Sequence, residues 1–398
     1  MESMDDDGLR ALLAEKKAKG AKTRYAVIGA GNGGLALAGH LGYMGFPVAL
    51  YNRSDEKLSG VRWHGGVSLS GEVKGFGPVE IATSNMEEAL AGADLIMIAT
   101  PSTAHRDLAR LMAPHLRDAQ VVVLNPGRTG GALEFRKILL DSEIAARPLI
   151  AEAQTFIYAS RATSRFEAKI FKIKQGLAVS TLPSYWTPDL LDLLEPAFPQ
   201  FKAGGNVLAT SLENIGAVFH PALTLLNAGW IEETGGDFEY YLQGITPSVA
   251  AVLERIDAER LAIARALGVR SLSAREWLYL SYGSSGEGLY QAIRDTDAYA
   301  GIKAPRDIAH RYISEDVPMS LVPLSSIGGM LGVPTPVIDM TIDLASIMHN
   351  TDYRASGRGV ESLGLAGLTV KEIHELVSGS GAVSQGLRSA RPSGGEGL

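Results

Sequence analysis

The chain has 398 residues, of which 46% are hydrophobic and 20% charged, with a formal net charge of −7, 8 histidines and no cysteine. That length supports two or three domains with a large buried core, and the composition excludes a fibre or a largely disordered chain. Without cysteine there are no disulfides, thiolate metal sites or cysteine nucleophile, and no metal is expected; the charge is spread without a Lys/Arg stripe, which excludes nucleic acid and an anionic membrane and leaves small molecules as partners.

Residues 1–22 read as a charged, flexible extension, because Asp5 to Asp7 repel one another and Lys16 to Lys22 carry little apolar surface. The opening MESMDDDGLR lacks the apolar core of a signal peptide, and no later run reaches transmembrane length, so a cytoplasmic location is expected. Across 23–205, short apolar runs alternate with helical stretches: YAVIG from Tyr25, PVALYN at Pro47–Asn52, then Val79–Ala82, Asp94–Ala99, Val121–Leu124 and Pro148–Ala153. The stretch Lys169–Leu182 reads as further strands of the same sheet. This alternation predicts an α/β Rossmann domain with a doubly wound parallel sheet.

The first strand runs straight into Gly29, Gly31 and Gly34 at G-x-G-x-x-G spacing, with Asn32 and Gly33 between them, and LALAGHLG continues with helical periodicity. Such a loop lets backbone amides approach a dinucleotide pyrophosphate. A glycine-rich turn without a nucleotide is the bland alternative, but the preceding strand, the following helix and the second strand at βαβ distance argue against it. After that second strand the chain offers Asn52, Arg53 and Ser54 where an NAD site usually places a carboxylate, which favours NADP over NAD because a guanidinium and small donors suit a 2′-phosphate. Arg53 as a solvated loop charge, with Asp55 serving the ribose, is the other reading. The strand ends at Thr100, Pro101 and Asn125 should line the cofactor crevice.

Residues 206–377 read as an all-helical domain. Ser248–Leu267 is an amphipathic helix stopped by Gly268, and Pro336–Met348 and Thr369–Val377 are shorter helices. The apolar helices after Pro336 are compatible with a homodimer, and 378–398, rich in Gly, Ser and Arg, read as a disordered tail. Two places carry chemistry. The helical stretch Ser211–Glu232 holds Asn214, His220 and Asn227 among apolar residues; His220 and Asn227 are seven apart on one face, and Pro221 should bend the helix beside the histidine. The segment HRYISEDVP crowds Arg311, Glu315 and Asp316 before Pro318, offering a carboxylate to orient an imidazole and an arginine to clamp a substrate carboxylate. A satisfied core histidine and surface ion pairs are the structural alternatives.

These segments resemble the octopine/nopaline (opine) dehydrogenases. The resemblance spans about Tyr25 to Leu368 and rests on GAGNGG, on NPGRTGG at 125–131, on the Asn214…His220-Pro221…Asn227 stretch, and on GIKAPRDIAHRYISEDVPMSLVP at 301–323 followed by GVPTPVID. It implies a Rossmann domain joined to an all-helical domain with the substrate between them. It also implies an oxidoreductase acting on CH–NH groups: the amine of an amino acid condenses with an α-keto acid such as pyruvate, and NAD(P)H reduces the imine to a secondary amine dicarboxylate. On this resemblance His220 matches the general acid/base, Asp316 its partner carboxylate, and Arg311 the arginine that binds a substrate carboxylate. AEAQTFIYASR at 151–161 matches a substrate-facing strand end, with Ile157 and Ser160 where the family often has Pro and Cys. Gln154 and Thr155 are the substrate contacts this implies, with Asn214 and Asn227 as further candidates.

Two other functions fit the architecture. A lysine-dependent dehydrogenase of the 2-hydroxyacid or glycerol-3-phosphate type would look to a lysine on a helix of the second domain, where none occurs between Lys202 and Lys303. A non-catalytic NADPH sensor would have no use for His220, Arg311 and Asp316 together.

Overall fold

The computed structural model describes residues 6–380. Twelve strands form two sheets among these residues: β1 (Tyr25–Ile28), β2 (Val48–Tyr51), β3 (Gly66–Gly71), β4 (Gly75–Pro78), β5 (Ile81–Thr83), β6 (Leu95–Ile98), β7 (Val121–Leu124), β8 (Leu149–Ala153), β9 (Tyr158–Ala162), β10 (Glu167–Ile173), β11 (Leu177–Leu182) and β12 (Phe201–Ala203). The larger sheet has the order β12-β11-β8-β7-β6-β1-β2-β5. From β8 to β5 every pairing is parallel, and β11 then runs antiparallel to β8.

The central strands are apolar throughout because both faces are covered, and their residues alternate between two cores. Ala26, Ile28, Ile96, Ile98, Val122 and Leu124 point to one side, where they pack with Leu208, Phe219, Leu223 and Ile256 of the helical half. Tyr25, Val27, Leu95, Met97, Val121 and Val123 point to the other, toward Leu35 and Leu37 of the helix Asn32–Tyr43 and toward Val67 and Ile170 of the smaller sheet. One core therefore joins the Rossmann sheet to the second half, which is helical from Val207 to Ser378.

Three expectations are corrected. Residues 6–18 are no loose extension: Asp6–Ala18 is a helix whose Leu9 and Leu13, four apart, are buried, while Lys16 and Lys19 reach the buried Asp94 at 2.8 and 2.7 Å. Charge had hidden a narrow apolar face; residues 1–5 lie outside the described residues. The segment 169–182 does not extend one sheet, because β10 joins a separate four-stranded sheet, β4-β3-β10-β9, and β11 alone continues the large one. The β3/β4 hairpin and β9 lacked a clear apolar alternation. Finally, Ser211–Glu232 is three helices, Val207–Leu212, Gly216–Leu226 and Ala228–Thr234, broken at 213–215 and at Asn227. The helices Pro247–Ala266, Pro336–His349 and Val370–Ser378 lie where the periodicity placed them. Of the tail read as disordered, 381–398 lie outside the described residues.

Candidate active site between sheet and helices

At the carboxyl end of β1 the backbone turns through Gly29, at φ +111°, and enters the helix Asn32–Tyr43. A Cβ on Gly34 would stand 1.6 Å from the Gly29 carbonyl oxygen, so only glycine lets the helix start this close to the strand. A Cβ on Gly31 would meet nothing within 4 Å, which leaves the approach to the helix N-terminus open. Thr100 Oγ1 and Asn125 Oδ1, at the ends of β6 and β7, are buried without a hydrogen-bond partner. An open amide-lined turn with two orphaned polar atoms nearby fits a dinucleotide. The side chains of Asn32 and Asn52 tie this loop down: Asn32 Oδ1 accepts from Ala162 N–H (2.9 Å) and Asn52 Oδ1 from Ala30 N–H (3.1 Å). Asp55 pairs with Arg62 at 2.7 Å and accepts from the Ser84 hydroxyl, whereas Arg53 and Ser54 stand exposed.

Across the crevice, His220 comes from the helix Gly216–Leu226, with Pro221 inside that helix. Its Nδ1–H donates to Asp316 Oδ2 at 2.7 Å, since an ionised carboxylate can only accept. Nε2 lies 3.2 Å from the Tyr241 hydroxyl, which burial keeps well above its ordinary pKa and so protonated. The imidazole stacks on Tyr312 with ring centroids 4.0 Å apart. Asp316 is fully buried and stands at the N-cap of a π-helical turn, Val317–Leu321, of a kind frequent at functional sites.

Behind this dyad stands a residue of the NPGRTGG segment with no role assigned from local pattern. Arg128 of NPGRTGG adopts φ +61°, strained for a side chain of its size, and its guanidinium reaches Asp316 Oδ1 (3.1 Å) and Glu315 Oε1 (3.4 Å). A Cβ on Gly216 would be 3.2 Å from both Arg128 Nη1 and His220 Nδ1, so glycine makes room for this meeting. Glu315 Oε1 also accepts from the Ser102 backbone N–H (3.0 Å) and hydroxyl (2.9 Å), which fastens the helical half to the loop after β6. Burial opposes ionisation of Glu315, but Arg128, Arg311 and the Ser102 donors outweigh it and hold its carboxyl down to about 2. Arg311 sits at the mouth, 58% exposed, with Nε 3.1 Å from Glu315 Oε2.

The loop that carries Arg128 is gripped from far along the chain. Fully buried Arg358 donates to the carbonyls of Gly127 (2.9 Å) and Thr129 (3.2 Å) and pairs with Glu134 at 2.8 Å. No sequence motif marks Arg358.

Of the expected site residues, His220 is bonded to Asp316, Arg311 reaches the neighbouring Glu315, and Gly29 lies against Thr100 at the ends of β1 and β6. Asn214 and Asn227, expected as substrate contacts, have amide hydrogens engaged within the fold. The Asn214 amide donates to Ser320 Oγ at 2.8 Å in the interior, and both hydrogens of the Asn227 amide go to the carbonyls of Leu223 (2.9 Å) and Gly244 (3.0 Å). Polar residues in an apolar helix need partners, and here the fold itself supplies them. Gln154 donates to the Glu213 carbonyl (3.3 Å), and Thr155 Oγ1 accepts from Lys174 Nζ (3.1 Å); both are partly exposed. Among the described residues no group of three or more His, Asp or Glu is arranged to hold a metal, and no helix is long and apolar enough to cross a membrane.

Comparison with known proteins agrees with this geometry. Residues 203–349 match the family model for the NAD/NADP octopine/nopaline dehydrogenase alpha-helical domain, and 24–147 match that for the NAD-dependent glycerol-3-phosphate dehydrogenase N-terminus. The structure of octopine dehydrogenase with NADH and L-arginine shares the fold, with a TM-score of 0.74 at 22% identity over 91% of this chain and 99% of that one. So does yersinopine dehydrogenase bound to NADP+, with a TM-score of 0.69 at 16% identity over 93% of this chain and 99% of that one. Opine dehydrogenase of Arthrobacter sp. (strain 1C) is 40% identical over 354 residues, covering 89% of this chain and 98% of that protein. Identity of that extent, over a chain whose Rossmann sheet and helical half both carry their parts of one crevice, makes this protein a member of the opine dehydrogenase family.

Proposed function

We propose that the protein is an NAD(P)H-dependent opine dehydrogenase, joining the amine of an amino acid to an α-keto acid and reducing the resulting imine to a secondary amine dicarboxylate. The observation that carries this reading is the His220–Asp316 pair, bonded at 2.7 Å and held at the mouth of the nucleotide crevice by the Glu315–Ser102 clamp. Gly29, Gly31, Gly33 and Gly34 with Thr100 and Asn125 would hold the dinucleotide, which when bound supplies the hydride.

The chain's own residues do the rest. With Nδ1 committed to Asp316, His220 handles protons at Nε2: as imidazolium it protonates the departing hydroxyl of the carbinolamine, which leaves as water and gives the imine. Tyr241 can donate to neutral Nε2 or accept from its protonated form, so the ring stays oriented through the cycle. Arg311 at the mouth clamps one substrate carboxylate, and Gln154 and Thr155 contact the other substrate. Holding two substrates in register supplies a large share of the rate.

The test is an NADPH-oxidation screen of keto acids crossed with amino acids and simple amines. Oxidation should require both partners, and His220→Ala should abolish turnover while nucleotide affinity persists. Oxidation that proceeds with the keto acid alone would point instead to a carbonyl reductase. We further infer a preference for NADP, because Arg53 is exposed with no carboxylate paired to it among the described residues while Asp55 is engaged by Arg62. Arg53→Ala should then weaken NADPH binding more than NADH binding. A cytoplasmic location and a homodimer through Pro336–His349, whose Met340 and Ile347 stand exposed, complete the reading; sedimentation tests the dimer.

A further inference from the structure

Lys174, which follows β10, has a role in none of the steps above. Its backbone N–H donates to the Ile157 carbonyl at 2.9 Å, which fixes the stem, and its Nζ donates to Thr155 Oγ1 at 3.1 Å. Thr155 lies two residues past the end of β8, whose Ala153 carbonyl accepts from the Gly127 N–H, so Lys174 is delivered to the same crevice wall as Arg128. The charges there do not balance. Arg128 and Arg311 face Glu315 and Asp316, two cations against two anions. No carboxylate among the described residues pairs with Lys174. Burial, with the like charge of Arg128 added, pushes its ammonium down to about 8. A half-buried cation beside another cation, seated on a hydroxyl and lacking a counterion, is a place prepared for an anion.

We propose that Lys174 and Thr155 together receive the carboxylate of the α-keto acid, placing that substrate on the sheet side of the crevice while Arg311 takes the amino acid's carboxylate from the helical side. Lys174 is then a binding residue for the reaction proposed above, on which this inference rests. The cofactor pyrophosphate is the competing anion. The chain leaving β8 passes close to the phosphate loop, where the Phe156 ring packs on Gly33, so NADPH titration of the Lys174→Met variant is what separates the two anions. Lys174 is also no stand-in for the lysine of a hydroxyacid-type dehydrogenase, because it comes from a loop of the first half and not from a helix of the second.

The full-length enzyme is assayed with pyruvate as the varied keto acid and the best amine from the screen at saturation. Replacing an ammonium–carboxylate contact should raise KM for pyruvate roughly 10- to 100-fold in Lys174→Met, with kcat changed less than about 3-fold and the amine KM unmoved. Lys174→Arg should restore most of the loss, and Thr155→Val should reproduce part of it in a protein that keeps the lysine. NADPH affinity, read separately by fluorescence titration, should be equal in all four proteins. An unchanged pyruvate KM in Lys174→Met, or a loss of NADPH affinity in its place, overturns the assignment. If the wild type oxidises NADPH with no substrate pair, the proposed function has failed, and calorimetry of pyruvate binding to wild type and Lys174→Met still decides whether Lys174 holds a carboxylate.

Discussion

Asp316→Asn separates the chemistry of the dyad from its architecture. The substitution keeps the side-chain size at a fully buried position, removes the charge facing Arg128 at 3.1 Å, and replaces an obligate acceptor for His220 Nδ1 with a group that can also donate. If the amide presents its N–H to Nδ1, the ring must take the opposite tautomer, and Nε2 carries the wrong proton inventory for the neutral state. Positioned acid–base catalysis is worth about 10²–10⁴ in rate, and a misassigned tautomer in a hydrolase triad costs near the upper end, so kcat should fall by about 10²–10⁴. Breaking a buried ion pair costs about 3–5 kcal/mol, and Arg128 retains Glu315, which points to the lower figure of about 3 kcal/mol. At about 2.1 cal/mol/K per residue, 398 residues give an unfolding entropy near 0.8 kcal/mol/K, so the melting midpoint should drop by only about 4 °C. The protein therefore remains folded in the assay, which follows NADPH absorbance with both substrates present, alongside a separate nucleotide titration expected to match wild type. The double variant with His220→Asn should be no slower than His220→Asn alone, because the two residues act as one unit. A kcat within about threefold of wild type, or additive losses in the double variant, would refute the dyad.

Acid should weaken the protein through Glu315. Its folded-state pKa is held from 4.5 down to about 2, so the stabilisation is complete above about 4.5 and is lost as pH falls toward 2. The shift corresponds to roughly 3 kcal/mol at neutral pH, and Glu315→Gln should flatten the denaturation midpoint across that window relative to wild type. Gly34→Ala should abolish nucleotide binding or prevent folding, since its methyl group would enter the Gly29 carbonyl oxygen; a variant with wild-type NADPH affinity and melting midpoint would show that the helix start is free to move.

Local pattern was enough to place the nucleotide loop, the parallel strands and the helical second half and to single out His220 and the Arg311, Glu315 and Asp316 cluster; the family resemblance picked the trio His220, Asp316 and Arg311 out of them. Each of these rests on spacing within a few turns of chain: glycines that admit a close helix start, apolar runs of strand length, an imidazole beside a proline, a carboxylate ending a short helix. Local pattern could not name a distant partner. Asn214 and Asn227 looked unsatisfied in an apolar helix, yet their partners lie on Ser320 and on the Gly244 backbone. The first helix looked like a solvated charge run until Leu9 and Leu13 found the core and Lys16 found Asp94.

Tertiary structure alone decided what surrounds the dyad. Arg128 meets Glu315 across 187 positions, Ser102 meets Glu315 across 213, and Arg358 reaches Gly127 across 231. Such contacts leave no periodic trace, because a single side chain meeting a single partner imposes no repeat on the residues between them. Hydrophobic alternation records which face of an element is buried. Which charge stands opposite, and whether Lys174 is left without one, depends on how the loops after β6, β7, β8 and β10 are brought together when the helical half closes over the sheet.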